Sequence, residues 1–123
     1  MAQTPCKKVG AGGVLDYVTT TDRVAGEVVV INGFAGIVEC AVAAGEKAAL
    51  DSSQMWDVPK ITGAIADRAP VYWDADGSPV SGTAGSGGAD DSSDSGANAF
   101  LGWAVGAAAS GDEFVRVHQG RHP

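Results

Sequence analysis

The sequence predicts an all-β fold: an antiparallel sandwich or small barrel of seven to nine short strands. Three observations carry that prediction. The chain holds 18 Gly in 123 residues, and each Gly inside a helix costs about 1 kcal/mol relative to Ala. Short runs of β-branched and aromatic residues recur at close spacing, punctuated by Gly, Pro, Asn, Asp and Ser. No stretch longer than two turns repeats its apolar residues with a helical period.

The elements follow in order. Residues 1–12 read as an N-terminal arm, with Pro5, Lys7 and Lys8 and no clean period. A single β domain is expected over 13–118, its first strand at 14–19. Next comes a repeated device in which a small residue, Gly and an acid open a strand. Ala25-Gly26-Glu27 precedes Val28-Val29-Val30-Ile31, Ala44-Gly45-Glu46 precedes Lys47-Ala48-Ala49-Leu50, and Ser110-Gly111-Asp112 precedes Glu113-Phe114-Val115. Glycine supplies a positive φ there, and alternating residues follow. Asn32-Gly33, between two apolar runs, predicts a type I′ hairpin, because both central residues of that turn need φ > 0.

Further along, residues 54–59 read as a strand stopped by Pro59, and 70–74 as a strand opened by Pro70. The segment 62–69 suits a turn or a single helical turn. Asp76-Gly77 marks another turn, with a short return strand near Val80. Residues 81–97 contain only Gly, Ser, Asp, Ala and one Thr, so the expectation is a flexible surface loop without regular structure. Strand character resumes at 100–105. The last strand, from Phe114 to His118, alternates Val115 and Val117 with Arg116 and His118, the pattern of a half-buried strand. Residues 119–123 read as a polar tail.

Composition bounds the function. The net charge of −7 repels phosphate backbones and anionic membranes, so neither nucleic acid nor membrane is an expected partner. No apolar run approaches the ~20 residues of a membrane span. No apolar signal segment follows Met1, so synthesis in a reducing cytoplasm with free thiols at Cys6 and Cys40 is expected. Apolar residues reach 45%, but aromatics only 7%. A core with so few rings buries little per residue and gains from oligomerisation.

No catalytic, metal or cofactor constellation stands out. Cys6, Cys40 and His118 are too scattered for a zinc-ligand spacing. Cys40 with His118 lacks local support as a nucleophile and base, and a lone Cys reads first as a small hydrophobe. Gly10-Ala11-Gly12-Gly13 precedes a strand and lacks the Lys-Ser/Thr of a phosphate loop. Asp90, Asp91 and Asp94 lack the spacing and terminal Glu of a calcium loop. The expectation is a protein that is not an enzyme. Trp56, Trp73 and Trp103 all fall in predicted strands, as core packing or as interface anchors.

One ordered string of features goes further. Gly13-Val14-Leu15-Asp16-Tyr17 leads to Arg23-Val24-Ala25-Gly26-Glu27-Val28. Trp56-Asp57-Val58-Pro59-Lys60 and Pro70-Val71-Tyr72-Trp73-Asp74 follow. Leu101-Gly102-Trp103-Ala104 and then Phe114-Val115-Arg116-Val117 close the series. In this order the chain resembles a family of small tailed-bacteriophage proteins associated with capsid cement, or head decoration. The resemblance implies a structural virion protein, a homotrimer by analogy with threefold capsid positions. It would bind the outer surface of the assembled capsid and bridge major capsid subunits, with no cofactor. On that reading the arm, with Thr4, Pro5, Lys7 and Lys8, engages the capsid. A glycan- or receptor-binding module on a virion or cell surface is the alternative, and exposed tryptophans would favour it.

Overall fold

The structure is a computed structural model and describes Thr4, Lys7 and residues 14–120. Nine strands follow one another along the chain: β1 (Val14–Val18), β2 (Val28–Ile31), β3 (Phe34–Val38), β4 (Lys47–Asp51), β5 (Met55–Pro59), β6 (Pro70–Asp74), β7 (Gly88–Asp90), β8 (Ala99–Ala104) and β9 (Phe114–Gln119). They form two antiparallel sheets. The first has the order β1-β4-β3-β2, and the second has the order β5-β9-β8-β6-β7. Neither sheet closes into a barrel, so of the two expected architectures the sandwich is the one realised.

The hairpin between β2 and β3 forms as its sequence dictates. Ile31 pairs with Phe34, and Asn32 and Gly33 take φ of 50° and 80°. Gly26 and Gly45 also take positive φ, both 86°, ahead of β2 and β4. The third copy of the device behaves differently. Gly111 stays out of the left-handed region, and the turn is held instead by Ala109 N–H donating to Asp112 Oδ2 at 2.8 Å.

The core lies between the sheets. Ala35 and Ile37 of β3 pack into a cluster with Val58, Val71, Leu101, Val115 and Val117 of the second sheet. Side chains alternate across a strand, so Val38 points the other way. It joins Val29 and Leu50 in a smaller cluster on the opposite face of the first sheet, with Tyr17 and Ile31 against it. At one seam the sheets are joined by Gln119. Its Nε2 donates to Asp51 O at 2.7 Å, and its Oε1 accepts from Gln54 N–H at 3.2 Å. Gln119 is thus a buried member of β9 and not part of a polar tail.

The low-complexity segment departs from expectation. Residues 81–97 contain β7, which pairs with β6 through Tyr72–Asp90, Trp73–Ala89 and Asp74–Gly88, and a 3-10 turn over Asp94–Gly96. Ala89 is fully buried. The physical reason is close approach. A Cβ at Gly88 would stand 2.7 Å from Ile61 Cγ2, and one at Gly87 2.5 Å from Trp73 Cζ2. Small residues that bury little area can still fill a seam where nothing larger fits. The same strand meets the chain beyond β5, where Ile61 N–H donates to Ala89 O at 3.1 Å.

Candidate interaction surface

Cross-strand partners share a face, so the pairing of the second sheet determines what its outer side presents. Val58, Val71, Val115 and Val117 point inward. Their strand neighbours therefore point outward. One outward row runs Met55, His118, Trp103, Pro70. A second holds Asp57 and Arg116, with Val105 alongside through its N–H donating to Arg116 O at 2.8 Å. Pro59 and Phe114 form a third. Beyond them Tyr72 faces Phe100. The rings of Tyr72, Phe100 and Trp103 meet edge to face, with successive centroids 5.7 Å apart.

This outer face is unusually apolar for a solvated sheet side. Met55 is 53% exposed, Phe114 51% and Val105 43%. Its central charges are matched: Arg116 Nε and a terminal guanidinium nitrogen donate to Asp57 Oδ1 and Oδ2 at 2.9 and 3.1 Å. That pairing holds the Asp57 carboxyl below its ordinary range. Beside Trp103 lies a shallow hollow of about 410 Å³ lined by Asp67, Arg68, Trp103, Ala104, Val105 and His118.

The three tryptophans part company here. Trp56 and Trp73 pack against the inter-sheet core. Trp103 lies on the outer face, and none of the three is fully buried. Of the arm residues, Thr4 and Lys7 are exposed, while Pro5 and Lys8 lie outside the described residues. Cys6 lies outside them too. Cys40 is an exposed free thiol and not the small buried hydrophobe its residue type suggests, because β3 ends at Val38 and the chain has left the sheet by then. His118 faces outward, its Nδ1 2.8 Å from Gln119 O. Among the described residues no three His, Cys, Asp or Glu side chains are grouped as metal ligands would be.

A family model for phage cement proteins matches residues 9–119. This chain belongs to the phage cement protein family. The cement protein is thus a structural protein of the phage capsid and sits on the virion. No curated protein and no solved structure matches it.

Sequence reasoning missed several residues of the cement protein's outer face. The alternation of β9 already set Arg116 and His118 outward. Phe114, two residues earlier in that alternation, was legible by the same rule. Met55 and Val105 were not, because only the register of β5 and the path after β8 place them beside β9.

Proposed function

We propose that this cement protein binds the outer surface of the assembled capsid and bridges neighbouring major capsid subunits, so that the shell resists the pressure of packaged DNA. The observation that supports this reading is the outer face of the second sheet. There Met55, Val105 and Phe114 meet solvent on an otherwise acidic protein, and exposed apolar patches mark interaction surfaces. On this reading the protein is a homotrimer on threefold capsid positions, where weak contacts made together hold far better than one. It is made in the host cytoplasm, catalyses no reaction, and needs no cofactor. Neither nucleic acid nor membrane is its partner, in keeping with its charge. The organisation is an arm at 1–12 and a β domain that runs from 13 through Gln119, the last residue of β9, with a short tail after it. The arm, through Thr4, Pro5, Lys7 and Lys8, adds to a capsid sheet edge.

The test is light scattering of the purified chain, followed by co-sedimentation with emptied capsids of its own phage. The expected result is a mass of three times 12.3 kDa and recovery with the capsids. A monomer that stays in the supernatant overturns the reading. A chain lacking residues 1–12 should decorate less well than the full chain. Equal decoration removes the arm from the mechanism.

A further inference from the structure

The hollow beside Trp103 has a built rim. Ala69 N–H donates to Ala66 O at 3.2 Å, closing a turn in which Arg68 takes a φ of 62°. That is a left-handed conformation which glycine adopts freely and arginine does not. The turn is clamped from both sides. Arg68 N–H donates to Ala104 O and Ala104 N–H to Ala69 O, each at 2.9 Å, and Gly106 N–H donates to Asp67 Oδ1 at 2.8 Å. A residue ill-suited to its backbone is held in place with its side chain 89% exposed.

Among the described arginines, Arg68 has the longest ion-pair distance. Arg23 pairs with Glu27 at 2.6 Å and Arg116 with Asp57 at 2.9 Å. Arg68 lies 3.7 Å from Asp67, beyond hydrogen-bond length, and Asp67 is already an acceptor for the loop. On a protein of net charge −7, an exposed cation at the lip of an apolar hollow suits a partner that offers a carboxylate there. A capsid lattice offers such a partner many times over, and contacts repeated on a lattice hold a small protomer better than a single one does.

We infer that the Trp103 hollow is the capsid-docking anchor: it receives an apolar side chain of a capsid subunit, while Arg68 pairs with a carboxylate flanking that side chain. The inference rests on the cement reading and deepens it.

The experiment is a co-sedimentation titration of the full chain against emptied capsids of its own phage that lack this protein. Wild type is compared with Arg68→Gly, Val105→Asp and the control Val24→Asp, an exposed site ahead of β2. Arg68→Gly keeps the fold, since glycine accepts the backbone, and its Tm should equal or exceed that of wild type. Arg68→Gly and Val105→Asp are each expected to weaken capsid binding about tenfold or more, with the control unchanged. Added salt should weaken wild type more than Arg68→Gly. If wild type binds and both hollow variants bind equally well, the anchor is elsewhere and the cement reading stands. If wild type itself ignores its capsids, the cement reading falls and takes the anchor with it. Variants that change the solution mass but not capsid binding assign the hollow to self-contact and overturn the inference.

Discussion

Gly87 and Trp73 share the room of one side chain: a Cβ on Gly87 would stand 2.5 Å from Cζ2 of the indole. Gly87 also takes a φ of 108°, which an L side chain rarely adopts. Gly87→Ala therefore both strains the backbone and overpacks the seam. It should cost about 2–4 kcal/mol, read as a drop in Tm or in the denaturant midpoint. A Gly87→Ala protein as stable as wild type means that β7 is not seated as described.

Gln119 joins the sheets through Asp51 O and Gln54 N–H. Truncation leaves a buried carbonyl without its donor. Gln119→Ala is expected to lose about 1–3 kcal/mol, and Gln119→Glu at least as much, since a carboxylate cannot donate to Asp51 O. Urea unfolding of the two variants measures this.

Asp51 is buried at the same seam. Burial, and then the neighbouring Glu39 carboxylate, hold its carboxyl above the ordinary range. The protonated form is therefore the one the fold prefers. Its stabilising effect is full below the unfolded value near 4 and is lost as pH rises through the raised folded value. Asp51→Asn, which keeps a neutral group there, should flatten that part of the stability–pH curve and raise stability at neutral pH. An unchanged curve removes Asp51 from the account.

Lys60 is fully buried, and its Nζ donates to Ile61 O at 2.9 Å and Ser110 O at 3.1 Å. It thereby ties the end of β5 to the chain before β9. Lys60→Ala opens a cavity and removes both donated bonds, a loss expected at about 2–4 kcal/mol by thermal or chemical unfolding. Lys60→Met, which fills the space without the donors, should fall between the two and so separates packing from hydrogen bonding.

Asn32 sits at a φ of 50° in the β2–β3 turn. Asn32→Ala should cost about 1 kcal/mol and Asn32→Gly close to nothing, because glycine accepts the left-handed region as readily as asparagine does. Thermal unfolding of the pair decides it.

Much of this protein was legible along the chain. Strand character lies in local residue choice, so β2 and the Asn32-Gly33 turn follow directly from β-branched runs and from side chains that tolerate φ > 0. The inward set of β9 follows from its alternation, and family membership from the order of short segments between Gly13 and Val117. What needed the folded chain is whatever depends on partners distant in sequence. Residues 87–90 bury little area, and only the approach of Trp73 and Ile61 turns them into a strand. Trp56, Trp73 and Trp103 have equal standing in the sequence. Register alone sends two to the core and one outward, since a shift of one residue exchanges the faces. Arg68 carries no local signal at all. Its place at the lip of the hollow arises where the loop after Ile65 crosses the end of β8, a non-local pairing held by the backbone bonds of Arg68 and Ala104.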